Sequence, residues 1–408
     1  MLRVNQYRIP NWEFILICVC TIYYIVPGMQ AIFPFYFFLV IEIFYSFYLI
    51  SINKVNTREI CKFVTLIFFI ALLYALLTDA ASIAQNVSHR SLKRFLSKFM
   101  QYSCMFFPLL FFKRCVIAGT RKQNLILLSI SVLAMIMACG PILEMIARNP
   151  LAARDFGDKE MSQDIENFMP PYPFVYGMTF AFLCVCFFAK KVDSRFVVLK
   201  FVFIGFSVFF FYFLFKSQFT LALLTTIFSL SIIFVRDIRR FDLKFLFLCG
   251  VFIFFAFLPI LLDAIIPLLP EMLANRFGEI YDFYTGNTVN DDSDLMGRLD
   301  LYARSIAAFF HSPIWGNRYL DFDGHATYLT VWADLGILGG IPLFTLLFKS
   351  KRMVSKLLGN MYMLFTPFFI HLFLNGFTNP IHASLQIYIC LWFLIPLCLH
   401  TFSNKIKL

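Results

Sequence analysis

The chain has 408 residues, of which 60% are hydrophobic, 19% are aromatic and only 14% are charged. So few polar side chains cannot cover the surface of a soluble protein of this length, and the composition therefore excludes an ordinary water-soluble enzyme. The net charge of +11 does not indicate nucleic-acid binding, because the lysines and arginines are spread over short segments between apolar runs. The sequence predicts an integral membrane protein.

Apolar runs of about 20 residues recur along the chain, and each is long enough to cross the hydrocarbon core of a bilayer. Irregular backbone cannot face lipid with its polar groups unsatisfied, so these runs are predicted to be helices. In chain order the predicted spans begin near Trp12, Ala31, Phe63, Phe99, Asn124, Tyr172, Phe196, Phe219, Phe245, Ala326, Tyr362 and Ser384. The predicted fold is an all-α polytopic membrane bundle of about 12 transmembrane helices.

The basic residues predict the orientation of these spans. With the N-terminus inside, most of the 35 lysines and arginines fall in inside segments, for example in residues 236–244 and 349–356. This distribution follows the positive-inside rule and places both termini in the cytoplasm. The basic segment from Ser88 to Lys98 falls outside, and we interpret it as an amphipathic helix on the lipid surface, with a local topology error as the alternative. The first span is expected to be retained, because no cleavage pattern follows it before Pro27.

Two long polar segments lie on the predicted outer side and carry most of the acidic residues. The first is near 147–171, and the second runs from Asp263 to His325. They divide the chain into residues 1–262 with the first nine spans, a large outer loop at 263–325, and residues 326–408 with the last three spans. Long loops beside a rigid helical scaffold are often functional, so any chemistry is expected in the large loop.

The positions of the cysteines and the absence of common catalytic motifs argue against several classes of site. None of the eleven cysteines falls in a predicted outer segment, so no disulfide framework is expected. Two close pairs, Cys18 with Cys20 and Cys184 with Cys186, lack neighbouring histidines or acids and are interpreted as packing residues. The sequence contains no Walker loop, HExxH, GxSxG or CxxC motif, which removes the usual support for nucleotide hydrolysis, zinc proteolysis and serine hydrolysis.

One segment of the large loop has the pattern of a surface helix. In Gly297–Phe310 the apolar side chains recur at helical spacing, opposite the charged side chains of Arg298, Asp300 and Arg304; the apolar residues are Leu299, Tyr302, Ile306 and Phe309 or Phe310. An amphipathic helix of this kind is expected to lie on the membrane surface. Pro313 is predicted to end it, Gly316 to form a turn, and His325 to stand where the chain re-enters the bilayer.

The residues from Arg298 to Gly339 resemble the signature of the O-antigen polymerase and O-antigen ligase superfamily. The shared features are an arginine near the start of an outer-face helix, then Ser312-Pro313-Ile314-Trp315-Gly316, then His325, Leu329, Asp334, Gly336 and Gly339. A weaker match is Lys216-Ser217-Gln218, between the seventh and eighth spans, where family members often carry Ser-Arg. Gln218 replaces that arginine here, and Ala326 stands where many members have asparagine.

This resemblance implies a GT-C-like membrane glycosyltransferase of the Wzy type. Such an enzyme transfers a growing undecaprenyl-diphosphate-linked glycan onto the next lipid-linked repeat unit at the periplasmic face of the bacterial inner membrane. The resemblance implies no metal, cofactor or nucleic acid. The implied partners are the lipid-linked repeat units, the bilayer, a chain-length regulator and a flippase.

The reaction that the resemblance implies needs cations and a base, because a diphosphate leaves and an acceptor hydroxyl loses a proton. Arg298 suits the diphosphate, since its planar fork donates paired hydrogen bonds and stays charged. His325 is expected to act either as the base or, as an imidazolium, as a phosphate ligand. Further diphosphate or substrate contacts are expected from Arg276, Arg304, Arg318, Lys216 and Gln218. Supporting structural roles are expected for Asp334, Gly316, Gly336 and Gly339.

Each of these residues also has a purely structural interpretation. Arginines at an interface commonly reach for lipid headgroups, and glycines such as Gly336, Gly339 and Gly340 permit close helix packing. His311, His371 and His382 are interpreted as hydrogen-bonded helix or loop histidines. Glu42 is an acidic residue inside a predicted span. It is interpreted either as a functional residue or as one that pairs with a neighbouring helix.

Two other functions stay open from the sequence. An O-antigen ligase uses the same donor but transfers the polymer to lipid A core. A flippase or other transporter of lipid-linked sugar would show repeated halves and charges along a midplane path. No internal repeat is visible, and beyond Glu42 and Asp334 the predicted spans hold few charges apart from edge residues such as Glu13 and Glu144.

Overall fold

The structure is a computed structural model that describes residues 8–33, 35–52, 57–84, 91–103, 105–148, 171–217, 219–236, 250, 256–269, 271–286, 294–317, 326–379, 381 and 384–403. The described part of the chain is almost entirely helical and contains no β-sheet. This agrees with the all-α fold predicted from the apolar runs.

The helices follow one another with short connections in most of the described chain. Those of the N-terminal part are α1 (Asn11–Ile25), α2 (Pro27–Ile32), α3 (Phe35–Ser51), α4 (Thr57–Ala84), α5 (Ser91–Ser103), α6 (Phe107–Ala118) and α7 (Arg121–Arg148). Those of the middle part are α8 (Pro171–Lys191), α9 (Val197–Ser217), α10 (Thr220–Arg236), α11 (Leu258–Ile265), α12 (Glu271–Thr285) and α13 (Asp294–His311). The C-terminal helices are α14 (Thr327–Leu358), α15 (Tyr362–Thr378) and α16 (Leu385–Thr401), the last with a π-helical turn at Cys390–Leu394.

Long apolar helices support a membrane-spanning architecture. Within the described residues, five segments are long and apolar enough to cross a membrane: Arg58–Leu77, Arg121–Glu144, Phe174–Lys191, Val197–Ser217 and Thr327–Thr378. The last of these contains both α14 and α15. Shorter apolar helices include α1 and α10. The predicted total of about 12 spans is not confirmed by these helices.

The fourth predicted span differs from the structure. A single helix from Phe99 was expected after a surface helix at 88–98, but α5 continues to Ser103 and a separate helix, α6, begins at Phe107. Pro108 lies in the first turn of α6. Proline has no backbone N–H and clashes with the preceding turn, so it favours the start of a new helix over continuation of α5.

The centre of the bundle is formed by α6, α8 and α16. Nearly every side chain of α16 from Leu385 to Leu397 is buried, and Phe111 of α6 packs against Phe393 with ring centroids 6.0 Å apart. The most apolar stretch of α8 is 78% buried, whereas that of α9 is only 22% buried. Large apolar side chains such as Phe201, which is 68% exposed, therefore form an outer surface of the kind that faces lipid.

A buried ion pair joins three helices of the N-terminal half. The Arg114 guanidinium of α6 donates to both carboxylate oxygens of Glu13 on α1, at 2.6 Å and 2.8 Å. The Tyr45 hydroxyl of α3 donates to the same carboxylate at 2.9 Å. The Arg114 side chain is only 2% exposed and that of Glu13 is 0% exposed. Mutual neutralisation explains why both charges can be buried.

Candidate functional site

The predicted site residues fall into two groups in the structure. Arg298, Arg276, Arg304, Lys216, Asp334, Gly316, Gly336 and Gly339 belong to described segments. His325, Arg318 and Gln218 lie outside the described residues. The geometry of the site is therefore built from the first group and from the residues that immediately flank His325.

The surface helix predicted at Gly297–Phe310 is present as α13, and one of its faces packs on the bundle. The Tyr302 hydroxyl donates to the Thr378 carbonyl at the end of α15, at 3.3 Å. Ser305 is buried, and the Phe309 ring meets the Trp332 ring of α14 edge to face at 5.3 Å. Arg298 precedes Tyr302 by one helical turn, so it shares this packed face and is half-buried. The prediction that it lies opposite Tyr302 was wrong.

The other face of α13 is exposed and amphipathic. Leu299, Ile306 and Phe310 are 41%, 45% and 74% exposed. Arg304 is also largely exposed and pairs with Asp300 one turn earlier on the same helix. Such a face is typical of a helix that contacts lipid headgroups and the first carbons of the acyl chains. Arg304 thus has a surface ion pair, whereas Arg298 lies against the bundle.

The point where the chain enters α14, directly after His325, is fixed to the end of α15. The Thr327 backbone N–H and hydroxyl both donate to the Asn379 carbonyl, at 3.2 Å and 3.1 Å. The Thr327 hydroxyl in turn accepts from the Ile381 N–H at 2.7 Å. Tyr176 of α8 donates to the Asn379 side-chain oxygen at 2.8 Å. Three helices and the chain after α15 therefore meet at Asn379.

These contacts bring together two parts of the predicted signature that are far apart in sequence. Tyr302 binds Thr378, and Thr327 binds the next residue, Asn379. The helix that carries Arg298 and the residue two positions after His325 are therefore anchored to the same end of α15. This junction of α13, α14 and α15 is the candidate site.

A third part of the signature, the segment 313–317, packs against a break in α14. This segment is called the clip. Gly336 has φ 57° and ψ −155°, so the helical path is interrupted there. The Ile337 N–H donates to the Pro313 carbonyl at 2.8 Å, and the Leu338 N–H donates to the Ile314 carbonyl at 3.3 Å. On the other side of the break, the Asn317 N–H donates to the Ala333 carbonyl at 2.6 Å. The break leaves backbone N–H and C=O groups of α14 without helical partners. The segment 313–317 supplies hydrogen-bond partners for these groups.

Two glycines make this clip possible. A Cβ atom on Gly336 would lie 2.5 Å from the Ile314 carbonyl oxygen, and one on Gly316 would lie 2.1 Å from the Asp334 carbonyl oxygen. Both residues also have positive φ, 57° and 80°. Glycine is required at both positions because any side chain would meet fixed backbone atoms. Gly336 thus permits the close approach of the segment 313–317 at a helix break, whereas the sequence suggested close packing between helices.

Replacing Gly336 with alanine is expected to destabilise the protein by at least about 1–3 kcal/mol from backbone strain alone, with further loss as the clip is displaced. Thermal unfolding in detergent, followed by fluorescence-detected size-exclusion chromatography, measures this effect. Gly205→Ala on α9 is the matched control, because nothing lies within 4 Å of a Cβ atom at that position. Equal melting temperatures for the two variants would contradict the clip.

In the described part of the chain, Arg276 and Lys216 make contacts within their own helices. Arg276 on α12 binds Glu279 one turn later on the same helix, at 3.1 Å. The Lys216 ammonium lies 5.9 Å from the Tyr212 ring centre on its own helix, α9. Asp334 is half-buried beside the clip, and Gly339 packs under the Leu335 side chain. Arg276 and Lys216 have local partners, and their roles in substrate binding stay predictions.

A buried polar network lies deeper in the bundle and was not expected as a cluster. His371 of α15 is completely buried. Its Nε2 is 2.8 Å from the Thr179 hydroxyl of α8 and 3.1 Å from the Asn375 side-chain nitrogen. Its Nδ1 is 2.8 Å from the Ser229 hydroxyl of α10. This agrees with the interpretation of His371 as a hydrogen-bonded helix histidine, whose partners come from three helices and are not apparent from hydropathy.

Replacing His371 with phenylalanine is expected to lower stability by about 1–3 kcal/mol for each polar partner left unsatisfied. The melting temperature in detergent measures this effect. His311→Phe, at an exposed position at the end of α13, is the control and should leave the melting temperature unchanged. A melting temperature of His371→Phe equal to that of the wild type would contradict this structural role.

The junction includes Arg298, a half-buried arginine on the face of α13 from which Tyr302 binds the Thr378 carbonyl. Such a group can bind an anionic oxygen with a charge-assisted hydrogen bond, and reduced contact with water strengthens the interaction. Among the described residues, no group of three histidine, cysteine or acidic side chains has the arrangement of a metal site. No protein-family model matches this chain, and no curated protein shows significant similarity to it.

Proposed function

We propose that this protein is an O-antigen polymerase. It transfers a growing undecaprenyl-diphosphate-linked glycan onto a lipid-linked repeat unit at the outer face of the bacterial inner membrane. The junction of α13, α14 and α15 is the proposed active site. The orientation with cytoplasmic termini and a periplasmic large loop follows from the distribution of lysine and arginine and is part of this proposal.

The single observation that carries the proposal is the shared anchoring of α13 and the start of α14. Tyr302 and Thr327 bind neighbouring residues at the end of α15, so the signature arginine and the chain next to the signature histidine are held by one structural element. The clip supports the same view, because it joins the Pro313–Gly316 part of the signature to its Gly336 part by backbone hydrogen bonds.

The chemistry assigned to the site is glycosyl transfer from a diphosphate. The bond between the anomeric carbon and the diphosphate oxygen breaks, and a new bond forms between that carbon and the acceptor hydroxyl oxygen. Arg298 stabilises the charge that grows on the departing diphosphate. His325 accepts the proton that the acceptor hydroxyl loses, or binds the phosphate as an imidazolium. The exposed apolar face of α13 supports a location of this chemistry at the lipid surface, where both proposed lipid-linked substrates would reside.

Replacing His325 with alanine is expected to reduce polymer formation by about 10²–10⁴-fold, the usual contribution of a general base. His311→Gln is the matched control, because His311 is an exposed histidine at the end of α13 and is not assigned to the site. Polymer length on gels and the amount of inserted protein are measured for both variants. Wild-type polymer length in His325→Ala would remove this residue from the mechanism.

The function itself is tested by analysing the lipopolysaccharide of a strain that lacks the protein. A polymerase defect gives core capped with single repeat units, and reintroducing the gene restores the long-chain ladder. Uncapped core with accumulated lipid-linked polymer would contradict the polymerase and indicate a ligase instead. Lipid-linked single repeats trapped on the cytoplasmic face would indicate a transporter.

A further inference from the structure

An apolar cavity of about 550 Å³ lies between α7, α8, α9 and α16, and the proposed reaction does not use it. Its volume falls within the range of about 300–1,000 Å³ that is typical of small-molecule sites. The described lining residues are almost all apolar, with Ser129 and Ser131 among the few polar ones. An apolar cavity of this kind is poorly suited to water and well suited to a hydrocarbon chain.

The cavity opens sideways between α7 and α9. Leu133 of α7 and Val202 of α9 both line it, and they are 58% and 44% exposed. Both helices belong to the segments long enough to cross a membrane, so the opening faces the region that lipid chains would occupy. A lipid tail can therefore enter from the bilayer without passing through water.

A basic hollow continues the cavity toward the first turn of α7. It is lined by Arg121 and Lys122, and it shares Leu125 and Ser129 with the cavity. These positions follow one another at intervals of about one turn, so they form a continuous strip along one side of α7. Arg121 and Lys122 are exposed at the end of the apolar segment Arg121–Glu144, where lipid headgroups are expected.

The charges of this strip select among lipids. The described residues that line the cavity and the hollow include two cations and no acidic side chain. A phosphate group can accept hydrogen bonds from both cations, and basic positions at helix ends commonly bind anionic headgroups. A net-neutral headgroup carries its own cation, and Arg121 and Lys122 would repel that cation.

We propose that this cavity binds one acyl chain of an anionic phospholipid, whose phosphate headgroup contacts Arg121 and Lys122. The lipid fills the space between α7 and α9 and thereby joins the peripheral helix α9 to the bundle. The proposal does not depend on the polymerase activity or on which end of α7 faces the cytoplasm.

The experiment is native mass spectrometry of the full-length protein released from nanodiscs that contain equal amounts of phosphatidylglycerol and phosphatidylcholine. Wild-type protein is expected to retain one phosphatidylglycerol in preference to phosphatidylcholine. The double variant Arg121→Gln/Lys122→Gln should bind it roughly thirtyfold more weakly. Ser129→Phe, at an exposed position in the strip, should block the chain and abolish retention.

The control is Arg58→Gln/Lys62→Gln, which removes two exposed cations from the start of the apolar segment of α4, a helix that does not line the cavity. It should retain the lipid like the wild type. Size-exclusion chromatography verifies that each variant is folded. Equal retention of both lipids by the wild type, or unchanged retention in either strip variant, would overturn the proposal. Preferential retention of added undecaprenyl phosphate over phosphatidylglycerol would also overturn it.

Discussion

Replacing Arg298 with alanine is expected to lower the rate of polymer formation by about 10²–10³-fold, the usual cost of losing one donor at a site of developing charge. Arg298 shares a helix face with Tyr302, and Tyr302 is fixed to the end of α15. In the proposed mechanism this anchoring fixes the helix that carries Arg298 before the substrate binds, so little reorganisation is needed when the bond breaks. The rate of polymer formation is measured in membranes from cells that express each variant, after lipid-linked repeat units are added.

Two further variants separate charge from geometry at this position. Arg298→Lys keeps the positive charge but loses the planar fork, so it should recover only part of the rate. Asp300→Asn changes an exposed residue of the same helix and should retain the wild-type rate. If Arg298→Ala inserts normally and still makes polymer of wild-type length, Arg298 has no part in the mechanism.

The largest expected effect on stability is that of Arg114→Met. This change leaves the buried Glu13 carboxylate without its cation, and breaking a buried ion pair in this way costs about 3–5 kcal/mol. Helices α1, α3 and α6 all contribute to the pair through Glu13, Tyr45 and Arg114. The protein should therefore lose thermal stability or fail to accumulate, as measured by melting temperature in detergent.

The double variant Glu13→Gln/Arg114→Met distinguishes the lost pair from lost packing. Removing both charges should restore much of the stability, because no uncompensated charge stays buried. Arg195→Gln is the matched control, since the Arg195 side chain is 83% exposed and pairs with the nearby Asp193. That change should leave the melting temperature unaltered. A double variant as unstable as Arg114→Met would contradict the electrostatic explanation.

Hydropathy and charge predicted the helical class and the positions of many helices. The starts of α1, α8 and α15 lie within one residue of the predicted span starts at Trp12, Tyr172 and Tyr362. These helices are continuous apolar runs between polar ends, and such runs have few alternatives to helix formation in lipid. The surface helix α13 was also predicted, because its charged and apolar residues alternate at helical spacing.

The breaks within apolar runs were harder to predict. The run that contains Pro108 was interpreted as one span, yet it forms the end of α5 and all of α6. The break at Gly336 lies inside α14, and the segment 313–317 satisfies its backbone groups. A mean hydropathy value averages over a window of residues and therefore does not locate either break.

The candidate site could be predicted only in part. Arg298 and the residues of the clip were selected by resemblance, but the contact of Tyr302 with Thr378 depends on how α13 packs. The Glu13–Arg114 pair and the partners of His371 were missed for the same reason. Except for the contact of His371 with Asn375, these pairs join residues more than 100 positions apart. One sequence carries no signal for such tertiary contacts.

The central claim is tested most directly with purified protein in liposomes that contain a lipid-linked single repeat unit. The polymerase account predicts a ladder of longer glycans that stay attached to the polyprenyl diphosphate, with free polyprenyl diphosphate released for each repeat added. Arg298→Ala protein should produce no ladder under the same conditions. Movement of the lipid-linked repeat across the bilayer without any elongation by the wild-type protein would contradict the account.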